Sequence, residues 1–329
     1  MTPRPDGTPV ANEGSPLDHS LALPPATPVG ARSTTGVAVM AHLRSQTSAL
    51  VQAHALLEGD SPDAVHAARV AARRLRSGLR VYGDLLRDDI ATQLRPELSW
   101  YAGRLSPARD LEVFDLWLRS PDGDTDAQPT RAQIGASLIP WLRRRREHVL
   151  HEALVELRSE RAAALLDLLV AVARAPRFTR IARRRASTLL APRVLRADRQ
   201  AVRPLGHLRP DDSPEAWHRA RISAKRARYA AEVGASALGR PCAELAHLWA
   251  SISEPLGEAQ DATIQRTLVL ERVSDASTPL SAAEAFTFGI FVASTRHREV
   301  ACHREARNIW LDARHEHARI RRAMSGIGV

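Results

Sequence analysis

Residues 61–80 read SPDAVHAARVAARRLRSGLR, and this stretch combines a helix-start signal, an apolar face and a row of basic residues. Ser61 followed by Pro62 is typical of an N-cap and a first-turn proline, so we predict a helix that begins here and ends near Asp88. Apolar residues recur along it at spacings of three and four, and they are Val65, Ala68, Ala72, Leu75, Leu79, Tyr82 and Leu86. This spacing predicts one buried face on an α-helix.

A basic stripe follows the apolar face, offset by one residue. Its members are His66, Arg69, Arg73, Arg76 and Arg80. One residue turns an α-helix by about 100°, so the stripe borders the buried face. Like charges four residues apart repel each other, and Asp63 is the single acidic residue of the stretch. The stripe therefore needs an anion or acidic partners, for which Asp110 and Asp261 are candidates; an arginine face exposed to solvent is the alternative.

The stretch has a second copy that begins 152 residues later, at Ser213. Nine of the sixteen aligned positions are identical. The basic stripe recurs as His218, Arg221, Lys225 and Arg228, and the apolar face recurs as Trp217, Ala220, Ala224, Ala227 and Ala231. Further on, Leu105–Asp110 matches Leu256–Asp261 at an offset of 151. Two blocks in the same order and spacing indicate an internal duplication of a helical unit.

The composition is that of an all-α protein, because alanine, leucine and arginine dominate and the alternation typical of strands is hard to find. We predict a disordered tail over residues 1–34, followed by one domain over 35–325. Its halves are predicted at about 36–203 and 204–325, with a turn-rich connection at 204–212. In the second half, periodicity predicts separate helices over 241–253, 257–273, 280–296 and 298–323.

A formal charge of +10 and a pI near 10.9 favour a polyanionic partner, namely nucleic acid, an anionic membrane surface or polymeric phosphate. No run is long and apolar enough to span a bilayer, so no membrane segment is expected. Cys242 and Cys302 fit neither a disulfide framework nor a metal cluster and are predicted to be buried thiols. Lys225 is the only lysine in the chain. The resulting expectation is a cytoplasmic protein.

Catalytic motifs are missing from the sequence. It contains no HExxH, Walker A, GxSxG or glycine-rich dinucleotide motif, so we expect no enzymatic activity, cofactor or metal. His66 and His218 have three interpretations: a structural hydrogen bond, a hydrogen bond to phosphate, or a phosphoacceptor or metal ligand. The last is disfavoured because their helical neighbours are arginines, which do not bind metals.

The two copies resemble the paired signatures of the CHAD family, the conserved histidine α-helical domain. Residues 65–76 (VHAARVAARRLR) and 217–229 (WHRARISAKRARY) carry the resemblance, which extends over roughly 36–325. Arg109-Asp110 falls where the family has a downstream motif. The resemblance implies two pseudo-symmetric helical bundles, with basic helices lining a central groove or pore that binds inorganic polyphosphate. It also implies association with polyphosphate granules.

Together these observations predict non-catalytic binding of inorganic polyphosphate, because arginine pairs with phosphate through two parallel N–H donors. The predicted contacts lie on the two stripes, beside them and in the downstream motif, and they are His66, Arg69, Arg73, Arg74, Arg76, Arg80, Arg109, His218, Arg221, Lys225, Arg226 and Arg228. A nucleic-acid-binding protein is the first alternative, although aromatic residues make up 4% of the chain and none interleaves the stripe. A phosphohydrolase is the second, but the clustered carboxylates that would hold Mg²⁺ are not visible.

Overall fold

The structure is a computed structural model that describes residues 23, 28–30, 32–57, 59, 61, 63–121 and 130–327. Within these ranges the chain forms α-helices, 3₁₀ turns at Gly83–Leu85 and Arg180–Arg183, and no β-strand, which confirms the all-α prediction. The helices are α1 Thr35–Leu57, α2 Ala64–Tyr82, α3 Ile90–Arg104, α4 Ser106–Arg119, α5 Arg131–Leu157, α6 Glu160–Arg174, α7 Ala186–Leu205, α8 Pro214–Leu238, α9 Arg240–Ser274, α10 Ala282–Asp312 and α11 Arg314–Ser325. No helix in these ranges combines the length and apolar character needed to span a membrane. Of the predicted tail, residues 1–22, 24–27 and 31 lie outside the described residues.

The apolar faces predicted for the two copies are buried. The seven residues from Val65 to Leu86 are each at most 6% exposed, and the five from Trp217 to Ala231 are at most 2% exposed. Isolated helices of this length are marginal in water, so burial of such a face supplies most of their stability. The apolar faces therefore position α2 and α8, and the basic residues remain at the edge of the core.

The two copies differ at the start of the helix. In α8 the Ser213 hydroxyl accepts a hydrogen bond from the Ala216 amide at 3.3 Å, as an N-cap does. In the first copy the predicted cap is wrong, because α2 begins at Ala64 instead of Ser61. Asp63 precedes α2 in the left-handed region at φ 65°, which aspartate tolerates, and its side chain makes no capping bond. The Ser61 carbonyl instead accepts from the Ala64 amide in a tight turn.

Two helix boundaries predicted for the second half are also wrong. The segments 241–253 and 257–273 belong to one helix, α9, which continues through Pro255. A proline inside a helix removes one backbone hydrogen bond, and the buried residues on both sides of Pro255 offset that loss. The break predicted between 296 and 298 falls instead at Ala313, because the buried face of α10 runs on to Trp310.

Two hydrophobic clusters form the core of the described chain. The larger joins helices α1 to α3, α6 to α8 and α11 with the first half of α9 and the ends of α5 and α10. The smaller joins α4, the first half of α5, the end of α9 and the start of α10. Phe114 and Phe291 stack in the smaller cluster with ring centroids 5.8 Å apart. In the larger cluster α2 packs against α8, and Tyr82 donates its hydroxyl to the Ala230 carbonyl at 2.9 Å. Both cysteines are free and buried, as predicted.

A short backbone bridge joins the starts of α1 and α7. The Thr35 amide donates to the Arg184 carbonyl at 2.8 Å, and the Ala186 amide donates to the Ser33 carbonyl at 3.0 Å. Each bond maps onto the other when the residue numbers are shifted by 151, and α5 and α10 also start 151 residues apart. These correspondences support the duplication, which stays a prediction from the sequence.

Candidate functional site

The basic stripes of α2 and α8 lie side by side because side-chain contacts join the two helices. Arg73 of α2 donates from Nε to the Tyr229 hydroxyl of α8 at 2.8 Å. Nearby, Glu232 of α8 pairs with Arg228 at 2.7 Å and lies 3.6 Å from Nε of Arg74 in α2. Because of these contacts, residues of both stripes line the same cleft.

A cleft of about 660 Å³ opens between α2, α3 and α8, and we call it the central cleft. Eight basic side chains line it, and they are Arg69, Arg73, Arg76, Arg80, Arg95, Arg221, Lys225 and Arg226. None of the described residues in its lining carries a carboxylate. Such a surface attracts anions, and the fork of N–H donors on arginine binds two phosphate oxygens at once.

Two cations of α8 are largely buried in this lining. Burial, with repulsion from Arg221 and Arg73, lowers the pKa of Lys225 to about 7, and Lys225 has no hydrogen-bond or ion-pair partner among the described residues. Burial also lowers the pKa of Arg221, whose Nε is buried without a hydrogen-bond partner among those residues. A bound anion would offset both the desolvation and the repulsion.

Asp110 and Asp261 act on basic side chains of the central cleft without lining it. Asp110 Oδ1 lies 3.3 Å from a guanidinium nitrogen of Arg69. Burial raises the pKa of Asp110, and the Arg69 charge opposes that rise. Burial likewise raises the pKa of Asp261, against the charges of Arg221 and Lys225. Asp110 therefore contacts the arginine it was expected to orient, whereas Asp261 acts through space.

Seven of the twelve predicted contacts line the central cleft, and they are Arg69, Arg73, Arg76, Arg80, Arg221, Lys225 and Arg226. Three more lie outside the lining and are held by carboxylates. Arg74 and Arg228 share Glu232, and Arg109 pairs with Glu112 at 3.0 Å. Because their charges are already paired, these three arginines attract a ligand less strongly, and Arg74 in addition joins α2 to α8 through Glu232.

The two histidines also lie outside the lining of the central cleft. His66 is exposed on α2, and partial burial of its ring together with the charge of Arg109 lowers its pKa, which favours the neutral form. His218 Nδ1 lies 3.3 Å from Gln260 Oε1 in a separate cleft of about 370 Å³. For His218 the structure therefore provides a structural hydrogen bond, the first of the three interpretations.

Arg95 is the one basic residue in the described lining of the central cleft that was not predicted from the sequence. It lies on α3 beside Pro96, where no repeated stripe marks it. Burial, followed by repulsion from arginines that include Arg95, lowers the pKa values of Arg76 and Arg226. Arg95 reaches this space because α3 packs on α2, and that packing has no signature in the local sequence.

The family profile described as the CHAD domain matches residues 41–270, which is more than half of the chain. The chain belongs to the CHAD domain family. Two solved structures share the fold of this CHAD domain. PptA from Streptomyces chartreusis has a TM-score of 0.66 and 24% identity, with 85% of this chain and 100% of that chain covered. The CHAD domain of the plant Ricinus communis has a TM-score of 0.66 and 22% identity, with 92% and 95% covered.

Curated relatives of this CHAD protein occur in Mycobacterium tuberculosis. An uncharacterized protein of that organism, present in two strains, is 29% identical to the chain over 239 residues. The match covers 71% of this chain and 45% of the relative. The chain thus spans about half the length of the curated relatives it matches.

Proposed function

We propose that the central cleft of this CHAD domain binds inorganic polyphosphate without cleaving it. The observation that carries the proposal is a lining of eight basic side chains with no carboxylate among the described residues. Phosphate oxygens accept charge-assisted hydrogen bonds from guanidinium groups. Residues three or four apart on a helix lie about 5–6 Å from each other, so successive arginines can engage successive phosphates of a polymer. Membership of the CHAD family supports the same ligand.

A nucleic acid is the competing ligand of the same charge. Single-strand binding uses aromatic side chains on which bases stack. Among the described residues of the central cleft, Tyr229 is the single aromatic one, and it is 4% exposed with its hydroxyl bonded to Arg73. The cleft offers phosphate contacts without a stacking surface, which favours polyphosphate over nucleic acid.

Cleavage of a phosphoanhydride would require carboxylates that hold Mg²⁺ beside the arginines. In the described part of the chain, no group of three His, Cys, Asp or Glu side chains is arranged to hold a metal. Of the carboxylates that act on the cleft arginines, Asp110 lies 3.3 Å from Arg69, and Asp261 interacts through space with Arg221 and Lys225. We therefore propose binding alone in the cytoplasm, with association at polyphosphate granules, which the family resemblance implies.

A competition assay at physiological salt tests the ligand. Labelled polyphosphate bound to the full chain is displaced with unlabelled polyphosphate, single-stranded DNA or tRNA, compared per phosphate. We expect displacement by polyphosphate at much lower concentration than by either nucleic acid. Equal displacement would contradict the proposed ligand, and release of phosphate in the presence of Mg²⁺ would contradict binding without cleavage.

Charge removal inside the cleft tests the location. Arg73→Gln combined with Arg221→Gln should weaken binding and lower the salt slope by about one for each lost phosphate contact. The matched control is Arg104→Gln with Arg161→Gln, since both are exposed, pair with glutamates and lie outside the lining. If both double variants bind alike, the basic stripe is a solvent-exposed face and the proposal is wrong.

A further inference from the structure

A second, larger cleft of about 1200 Å³ adjoins the central cleft, and we call it the outer cleft. Arg80, Arg95 and Arg226 line both clefts, so the two form one continuous surface. The other basic side chains of the outer cleft are Arg87, Arg177, Arg193 and Arg196. These four belong to neither repeated stripe and do not line the central cleft.

The carboxylates of the outer cleft are mostly engaged. Asp84 accepts two hydrogen bonds from Arg193, one of them at 2.6 Å, and these bonds lower the pKa of Asp84. Asp88 pairs with Arg177 at 2.8 Å. Asp89 is the third carboxylate of the described lining. Seven arginines against three carboxylates leave this cleft positively charged.

Five arginines of the outer cleft have side chains without a hydrogen-bond or ion-pair partner among the described residues. They are Arg80, Arg87, Arg95, Arg196 and Arg226. Burial, followed by repulsion from Arg80 and Arg95, lowers the pKa of Arg226. Three like charges thus converge where the two clefts meet, and a chain of phosphates passing between them would offset their repulsion.

Backbone hydrogen bonds hold the segments beneath the outer cleft together. The Arg87 amide donates to the Arg177 carbonyl at 2.8 Å, beside an isolated bridge between Leu86 and Phe178. Both bridge residues pack on the larger hydrophobic cluster. A site held in place in this way loses less conformational freedom when a ligand binds.

We propose that the outer cleft binds the continuation of a polyphosphate chain whose other part occupies the central cleft. The shared arginines make the path continuous, and Arg87 and Arg196 offer unpaired donors along its outer part. A chain that fills both clefts gains contacts that tripolyphosphate cannot make at the same time. The inference rests on the proposed function, because polyphosphate must first occupy the central cleft.

The test compares tripolyphosphate with long-chain polyphosphate, each titrated into the full chain at fixed salt. Arg87→Gln combined with Arg196→Gln should weaken long-chain binding about tenfold, with tripolyphosphate binding unchanged. The salt slope for the long chain should fall by about one per arginine. Arg73→Gln with Arg221→Gln should weaken the binding of both ligands. The control pair Arg104→Gln and Arg161→Gln should change neither.

Different results would overturn the outer-cleft inference and the proposed function. The outer-cleft inference is overturned if its double variant leaves long-chain affinity and salt slope unchanged while the central variant weakens binding. It is also overturned if the outer variant weakens tripolyphosphate as much as the long chain. The proposed function itself fails if the central variant changes neither ligand. Circular dichroism confirms that each variant is folded. Arg196→Gln alone changes an exposed side chain and should cause part of the loss of long-chain affinity.

Discussion

Arg73 and Tyr229 are joined by a hydrogen bond of 2.8 Å from the guanidinium Nε to the phenol oxygen, across the contact between α2 and α8. The tyrosine is buried, and the guanidinium carbon lies 5.9 Å from the centre of its ring. With Nε engaged, the four N–H groups on the terminal nitrogens of Arg73 stay available for a ligand. The contact thus orients Arg73 in the central cleft and also joins α2 to α8.

Removal of the phenol oxygen should release Arg73. Tyr229→Phe keeps the ring packing and deletes one hydrogen bond, so we expect the free energy of unfolding to fall by about 1 kcal/mol. Polyphosphate affinity should fall several-fold because Arg73 is no longer held toward the cleft. Urea unfolding and calorimetric titration measure the two effects. Unchanged affinity would show that the orientation of Arg73 has no part in binding.

The pH dependence of binding should follow Lys225. Its pKa is lowered to about 7 in the ligand-free protein by burial, Arg221 and Arg73, and a bound polyanion favours the charged form. Above that pKa the protein must take up a proton on binding, so affinity for long-chain polyphosphate should fall as pH rises from about 7 to about 9. Titrations at about pH 8 in buffers of different ionisation enthalpy measure this uptake.

Lys225→Arg is the control for the pH effect, because arginine stays protonated over this range. The affinity of Lys225→Arg for long-chain polyphosphate should change little between about pH 7 and about pH 9, where the wild-type affinity falls. In the ligand-free protein, the unfolded chain holds a proton on Lys225 up to about pH 10, so its contribution to the free energy of unfolding rises with pH between about 7 and 10. If the wild-type affinity depends on pH as little as that of Lys225→Arg, Lys225 is not the titrating group.

The negative charge of Asp261 should lower the positive electrostatic potential of the central cleft. Its carboxylate acts on Arg221 and Lys225 without lining the cleft. Asp261→Asn removes that negative charge, so we expect tighter polyphosphate binding together with a lower melting temperature of the ligand-free protein. Titration and thermal unfolding with and without ligand measure the pair of effects. Weaker binding would mean that Asp261 positions the cations and does not merely oppose them.

The two copies of the helix-start motif should respond differently to the same substitution. Ser213→Ala removes a hydroxyl that caps α8 and should cost about 1 kcal/mol of unfolding free energy. Ser61→Ala, at the matching position, removes no cap from α2 and should be close to neutral. Urea unfolding of both variants makes the comparison. Equal losses would contradict the different starts of the two helices.

A buried carboxylate that lines neither cleft should affect stability alone. Asp198 is fully buried, accepts from Trp249 Nε1 at 3.0 Å and lies 2.8 Å from His317 Nε2. Because disruption of a buried, paired charge is expensive, Asp198→Asn should lower the free energy of unfolding by about 3 kcal/mol. Titration of the folded variant should give wild-type polyphosphate affinity. A loss of affinity would connect this cluster to the clefts.

Helix type and helix faces could be predicted because they depend on local periodicity, as the buried run from Val65 to Leu86 shows. Helix boundaries failed where distant packing decided them. Pro255 is a local signal for a break, but the core on both sides of it keeps α9 continuous. Ser61 is a local signal for a cap, but a turn through Asp63 replaces it.

The candidate site could be predicted where it is repeated along helices, and could not where it is assembled from single residues. The stripe positions such as Arg69 and Arg221 reach the central cleft because α2 and α8 pack together. Arg95 comes from α3 and Arg196 from α7, and each reaches a cleft through tertiary packing alone. The local sequence around Arg95 and Arg196 does not indicate that either residue lies at a cleft.

Helix α9 belongs to both hydrophobic clusters, since Trp249 lies in the larger and Val269 in the smaller. Its 35 residues form a rod about 50 Å long. Neither cluster can come apart without losing this rod, so the two should melt in a single cooperative step. In the first half the matching segment is divided at Leu105 into α3 and α4. Helix α5 of the first half also reaches both clusters, through Leu142 in the smaller and Leu150 in the larger, so both halves contribute to this cooperativity.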